Sequence, residues 1–170
     1  MINLQTNRLI IRNFNPDDWQ DLQDVVVQYQ ASEWAKYEDP WPTSTEEVKG
    51  LAKFFASGDH FLAVSLKDTG KLIGLIAIGQ REEQVEQVHN LGYVFHPGYS
   101  GQGYATEGCR AVMAYLFEQL GIAAILTGTR PENTPSVQLL ERLGIQPIGQ
   151  GEYRISKEEW LAQQQARQSQ

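Results

Sequence analysis

The stretch that most limits how this chain can fold runs from Leu91 to Glu107. An extended Leu91-Gly92-Tyr93-Val94-Phe95 leads into His96-Pro97-Gly98-Tyr99-Ser100-Gly101-Gln102-Gly103, and apolar residues at helical spacing resume from Ala105. Pro97 and Gly98 end the strand, while Gly101 and Gly103 reach backbone angles closed to other residues, so the order is strand, glycine-rich turn, helix. The first four amides of a helix have no internal partner, and its dipole places roughly half a positive charge there, which suits the turn to a phosphate or pyrophosphate.

Spacing narrows the ligand. A P-loop needs Gly, four residues and then Gly-Lys-Ser/Thr, but no lysine follows Gly103. The dinucleotide fingerprint wants a third glycine where Thr106 stands, and it opens a βαβ unit rather than sitting this late in a chain. A nucleotide-dependent enzyme also needs a lysine and metal carboxylates near the loop, and the sequence offers neither. The surviving pattern, Ser100-Gly101-Gln102-Gly103-Tyr104-Ala105, resembles the acyl-coenzyme A signature of the GNAT N-acetyltransferase superfamily, Gln/Arg-x-x-Gly-x-Gly/Ala, with Ser100 in the place of Gln or Arg. The longer string Gly92-Tyr93-Val94-Phe95-His96-Pro97, then Gly101-Gln102-Gly103-Tyr104-Ala105-Thr106-Glu107, is similar to the branch that holds the ribosomal-protein N-terminal (Rim-type) acetyltransferases.

A chain of 170 residues with 41% hydrophobic content fits one domain, residues 1–170, with a real core. A formal net charge of −7 argues against broad contact with nucleic acid or an anionic membrane; it favours a cationic partner or serves ordinary solubility. The single cysteine, Cys109, excludes an internal disulfide and a multi-cysteine metal site, and no metal is expected. The polar start and the lack of a long apolar run lead us to expect a soluble, cytoplasmic protein that is not exported.

Thr6 to Phe14 reads as a strand, and Asn15-Pro16 closes it and starts a helix carrying Trp19, Leu22, Val26 and Tyr29 on one face. Ala31 to Thr43, with two prolines around Trp41, reads as a loop whose aromatics either bind something or tuck beneath it as satellite core. Ser44 and Glu47 match the capping box of a second helix with Val48, Leu51, Ala52 and Phe55 inward. His60 to Leu66 and Lys71 to Ile78 form a hairpin, and the second strand is apolar on both faces and so central. A polar turn from Gln80 to Gln87 precedes the strand Val88 to Phe95, in which His89, Leu91, Tyr93 and Phe95 alternate with Val88, Asn90, Gly92 and Val94. The helix from Ala105 carries an apolar stripe of Cys109, Val112, Met113, Leu116, Phe117 and Leu120, which makes Cys109 a small core residue before it is a reactive thiol.

Ile122 to Thr129 reads as a buried strand, with Thr134 and Pro135 as N-cap and first residue of a helix ending at Gly144. Gln146 to Ile155 reads as two short strands, and Ser156 to Glu159 starts a final helix carrying Trp160. Only the Gln-rich end beyond Trp160 resembles a disordered tail. The expected fold is α/β, a mixed and mostly antiparallel central sheet with helices on both faces.

The resemblance implies more. Asn133-x-x-Ser136 with Leu139 to Gly144 is similar to the second motif of the same branch, with Ile145 where phenylalanine is usual. The resemblance implies that the strand ending at Phe95 and the strand Ile122 to Thr129 splay apart around the pantetheine arm of acetyl-coenzyme A (acetyl-CoA). Strand groups of Tyr93, Val94 and Phe95 would bond that arm, Ser100, Gly101, Gln102, Gly103, Tyr104, Ala105 and Thr106 would hold the pyrophosphate, and Asn133 would fix the cofactor near the bond that breaks. The implied function is acetyl transfer to a primary amine, on a protein N-terminus or a small cationic molecule, by a monomer or homodimer. Ser136 is the candidate for the thioester sulfur, or else an early helix residue satisfying an amide. Where the branch commonly has a glutamate this chain has Asn90; His89 is a candidate base if a bulge turns it from the opposite face, or else Glu38 and Asp39 attract the ammonium group and water carries the proton away. Trp34, Tyr37, Glu38, Asp39 and Trp41 are the candidate acceptor contacts, and Glu107 either orients the loop or is an ordinary exposed carboxylate. The tyrosine often used as acid is absent, Leu140 standing seven residues after Asn133, so a catalytically degenerate CoA-binding sensor or scaffold is the alternative.

Overall fold

The structure, a computed structural model, describes residues 1–81 and 87–169. Among these are eight strands of a mixed, mostly antiparallel sheet and five α-helices, the expected α/β class. The chain divides into two compact units, Met1–Ile78 with Gly92–Ala111, and Gly79–Leu91 with Val112–Gln170. No described helix is long and apolar enough to cross a membrane.

In the first unit, β1 (Asn3–Gln5), β2 (Leu9–Asn13), β3 (Phe61–Leu66) and β4 (Leu72–Gln80) pair in that order, all antiparallel. The strand expected from Thr6 to Phe14 is present as Leu9–Asn13, starting three residues later, and a short strand that was not expected, Asn3–Gln5, pairs with it as a hairpin. Thr6 donates its amide to Leu9 O at 3.0 Å and accepts the Leu9 amide on its hydroxyl, so it turns the chain instead of extending it. Asn15 caps a 3-10 turn, Pro16–Asp18, in a full capping box, and α1 (Trp19–Gln30) follows. Ser44 caps α2 (Thr45–Ala56), accepting the Glu47 amide and donating its hydroxyl to Glu47 Oε2 at 2.6 Å.

The core of this unit joins Leu22, Val25 and Val26 of α1 to Val48, Ala52 and Phe55 of α2, over Ala63, Leu72 and Leu75 of the sheet. Helical and strand periodicity marks most of these positions. Trp19 is not in the interior: it packs on the core's edge with the Lys49 ammonium 4.8 Å from its ring. β4 is buried from Leu72 to Ile76, as a central strand should be.

In the second unit the first residues of β5 (Val88–Phe95) pair in parallel with β6 (Ala124–Gly128), Val88 opposite Ala124 and His89 opposite Ile125. β6 pairs antiparallel with β8 (Glu152–Ser156), and β8 with β7 (Gln146–Gly149). The expected polar turn from Gln80 to Gln87 lies mostly outside the described residues; Gln80 itself ends β4.

Helix α3 (Tyr104–Ala114) runs into a π turn, Tyr115–Gln119, closed by the Leu120 amide donating to Tyr115 O at 3.0 Å. Cys109, Val112, Met113, Leu116 and Phe117 are fully buried, but Leu120 is exposed. The wider π turn shifts the phase, so a residue that continues the 3.6-residue stripe on paper faces solvent.

α4 (Thr134–Arg142) has Asn133, not Thr134, as its N-cap, with Pro135 at the second position. The Gln-rich end is not a tail: α5 (Lys157–Gln168) includes it. Ser156 and Glu159 form a complete capping box, Trp160 stacks on Phe117 at 5.6 Å, and Gln163 donates to Gly144 O at 3.0 Å. A polar helix is stable when its start is capped and one large side chain is anchored.

Candidate functional site

In the first unit β5 ends beside β4, with the His96 amide donating to Ile73 O at 2.8 Å. The strands come close because residue 74 is glycine: a Cβ there would lie 2.7 Å from Val94 O and 2.6 Å from the Phe95 ring. Val94 is buried, while Tyr93 and Phe95 are half-buried. A 3-10 turn, Pro97–Tyr99, follows, in which the Gly98 amide donates to His96 Nδ1 at 2.9 Å. Nδ1 is therefore an acceptor, and His96 Nε2 carries the proton toward Asp24 Oδ2 at 3.0 Å. Asp24 also holds the ammonium of Lys71, the residue before β4, at 3.2 Å, so α1 links the turn to the start of that strand.

Ser100, Gly101, Gln102 and Gly103 form the exposed rim before α3. Gly101 (φ +76°) and Gly103 (φ +83°) sit in left-handed conformations that explain both glycines. The Glu107 amide donates to Gly103 O at 3.0 Å, so the amides of Gly103, Tyr104 and Ala105 precede the first helical donor. Gly108 keeps the helix close to the sheet, where a Cβ would meet Ile76 at 3.4 Å and Leu9 at 3.5 Å.

Glu107 ties the start of α3 to the turn between β1 and β2. Its carboxylate accepts from the Thr6 hydroxyl at 2.6 Å, the Arg8 amide at 3.0 Å and Arg8 Nε at 2.7 Å, with Arg8 Nη2 at 2.6 Å. Burial works to raise the Glu107 pKa, but these donors outweigh it and hold the carboxyl below its ordinary range. Arg8 then donates Nη1–H to Gln102 O at 2.9 Å and lies over the Tyr104 ring at 4.2 Å.

The aromatic loop belongs to the same unit. Ala35–Tyr37 is a single 3-10 turn, with the Trp34 and Tyr37 rings stacked at 6.1 Å. Glu38 is an exposed residue whose carboxyl turns toward the Tyr29 hydroxyl and the Trp41 indole; partial desolvation there raises its pKa, and hydrogen bonding from those two groups works the other way. Trp41 packs on the core as the satellite residue the sequence allowed, and Asp39 is exposed.

The second unit contains His89, Asn133 and Ser136. His89 is half-buried on β5. Asn133 is 6% exposed, and as N-cap of α4 its side chain makes no capping bond. Ser136 is half-buried in the first turn of α4. Leu140 is wholly buried, and so is Ile145, consistent with a packing change at that position. Beyond the pair His89–Ile125 the strands stop exchanging parallel backbone bonds, and the buried Thr127 hydroxyl donates to Leu91 O at 2.7 Å. A side chain bridges where the ladder would otherwise continue.

The contacts made by Arg8, Thr6, Asp24 and His96 in the first unit, and by Thr127 in the second, are ones that the sequence does not mark. No local signal singles them out, because each acts on a residue far away in the chain: Arg8 on Gln102 across 94 positions and Thr127 on Leu91 across 36. Cys109 is buried, and burial pushes its thiol pKa up to about 12. Among the described residues no group of three or more His, Cys, Asp or Glu side chains could hold a metal ion.

The acetyltransferase (GNAT) domain family matches residues 8–146 of this chain. An uncharacterized N-acetyltransferase of Bacillus subtilis, YnaD, is 32% identical over 153 residues, covering 87% of this chain and 85% of its own. The crystal structure of an acetyltransferase of the GNAT family from Bacillus anthracis superposes with a TM-score of 0.83 at 26% identity, over 93% of this chain and all of that one. A ribosomal-protein-S5-alanine acetyltransferase from Vibrio fischeri shares the fold, with a TM-score of 0.79 at 14% identity over 94% of this chain and 99% of its own.

Proposed function

The chain belongs to the GNAT acetyltransferase family, and from that premise we propose that it is an acetyl-CoA-dependent N-acetyltransferase acting on a primary amine. The observation that carries the reading is the turn before α3. Two left-handed glycines, Gly101 and Gly103, bring no Cβ of their own to the exposed rim, and the amides of Gly103, Tyr104 and Ala105 open the helix. That is the chemistry a pyrophosphate needs: several N–H donors, a favourable dipole and close backbone approach.

Acetyl-CoA would supply the activated acetyl group as a thioester. Ser100 to Thr106 would hold its pyrophosphate, and backbone groups of Tyr93, Val94 and Phe95 would bond its pantetheine amides. The Asn133 amide side chain, buried and not used in capping, supports a role in holding the cofactor. Ser136 would donate its hydroxyl to the departing sulfur. His89 would take the proton that the attacking amine must lose. Glu38 and Asp39, with Trp34, Tyr37 and Trp41, would attract and orient a cationic acceptor, either a peptide N-terminus or a small amine.

Leu140 favours a second reading, a CoA-binding sensor or scaffold, since a fully buried leucine stands where the wider family often has its tyrosine. Calorimetric titration with acetyl-CoA, then a thiol-release assay against N-terminal peptides, polyamines and aminoglycosides, separates the two. Turnover supports the transferase, tight binding without release of thiol supports the sensor, and absence of binding overturns both.

A further inference from the structure

The family signature begins with Gln or Arg, and this chain has the uncharged, exposed Ser100 there. A guanidinium nevertheless reaches the loop from β2's leading turn: Arg8 Nη1 donates to Gln102 O at 2.9 Å. The described peptide bonds are all trans, so the C=O of Gln102 and the N–H of Gly103 lie in one plane and point in opposite directions. Fixing the carbonyl on Arg8 turns the Gly103 N–H the other way. Residue 103, as glycine, otherwise has the freedom to let that plane rotate, and a rotated plane would present a carbonyl dipole, not a donor, to an anion.

From this we infer that Arg8 is a positioning residue for pyrophosphate binding, which locks the Gln102–Gly103 peptide in its donating orientation. Glu107 is the second half of the device. Its carboxylate holds Nε and Nη2, leaving Nη1 aimed at Gln102 O, and Thr6 and the Arg8 amide fix the carboxylate in turn. The cation–π contact with Tyr104 keeps the guanidinium plane in place. Because Glu107 neutralises it, Arg8 acts through the loop and not as a phosphate ligand. This inference rests on the acetyl-CoA reading and adds to it a residue outside the motif.

The test compares coenzyme A, which has the pyrophosphate, with pantetheine, which lacks it. Binding of coenzyme A is followed by calorimetry and binding of pantetheine by ligand-observed NMR, for the wild type, Arg8→Ala and Glu107→Gln. Loss of a charge-assisted bond that fixes a donor should weaken coenzyme A by about ten- to a hundredfold and leave pantetheine unchanged. Arg8→Lys keeps the charge but not the fork, and should recover little of the affinity. Equal losses for both ligands would make Arg8 merely structural and overturn the inference, as would unchanged affinity for coenzyme A. If the alanine variant does not fold, Glu107→Gln, which frees the same guanidinium, carries the same two outcomes. Failure of the wild type to bind coenzyme A would remove the acetyl-CoA reading itself; wild-type binding with an unaffected Arg8 variant would remove only the inference.

Discussion

The Thr127 hydroxyl donates to the carbonyl of Leu91 at 2.7 Å, and both residues are buried. One side chain therefore replaces a rung of backbone pairing just beyond the last parallel pair of β5 and β6. Thr127→Val keeps the shape, removes the donor and leaves Leu91 O unsatisfied. It should destabilise the protein by roughly 1–3 kcal/mol, read as a lower denaturant midpoint at unchanged slope. An unaltered midpoint would mean that water satisfies the carbonyl.

Glu107 has its folded pKa depressed by its donors. Its contribution is fully present above the ordinary glutamate value, roughly 4.3, and is lost as pH falls through the lower folded value. The stability difference between wild type and Glu107→Gln should be about 1 kcal/mol at neutral pH, since Arg8 is partly solvated. It should shrink toward zero in acid. A difference independent of pH would show that the ion pair adds nothing beyond packing.

Much of the fold and of the loop is legible in the sequence because it is local chemistry. The glycine turn, the capping by Asn15, Ser44 and Ser156 and the two-sided apolar strand β4 each follow from residues within a few positions of one another. What the sequence hides depends on distance or phase. Nothing near Thr6 tells that its hydroxyl will serve a carboxylate 101 residues away, so the turn at Thr6 reads on paper as the start of the strand and β1 goes unmarked. Leu120 falls on the apolar stripe only if the helix stays α to its end, and the π turn breaks that count. The glutamines after Trp160 resemble a tail by composition, yet the cap and the Trp160 anchor decide the matter.

Glu38 is displaced in the other direction, partial desolvation of its carboxyl raising its pKa from the ordinary value. A raised folded value means that its contribution is present at low pH and lost as pH rises through that value. Glu38→Gln should therefore be stabilising at neutral pH relative to its effect in acid. If the carboxylate also attracts the acceptor, the same variant should raise KM for cationic amines while KM for acetyl-CoA stays constant. Unchanged kinetics would confine Glu38 to bracing Tyr29 and Trp41.

Cys109 combines full burial with a thiol pKa pushed up to about 12. It should resist an aromatic disulfide reagent in the native protein and react at once in denaturant. Fast native labelling would contradict the core assignment and reopen a chemical role for the thiol.

The proposed activity stands or falls on the loop from Ser100 to Thr106. The most direct measurement is calorimetric titration of acetyl-CoA into the wild type and Gly103→Val. A β-branched side chain at φ +83° costs about 1–2 kcal/mol of local strain, enough to reshape the turn without unfolding the protein. A pyrophosphate site in this turn predicts saturable one-to-one binding by the wild type and none by a variant whose circular dichroism is native. Absence of binding by the wild type, or equal affinity in the folded variant, would contradict it.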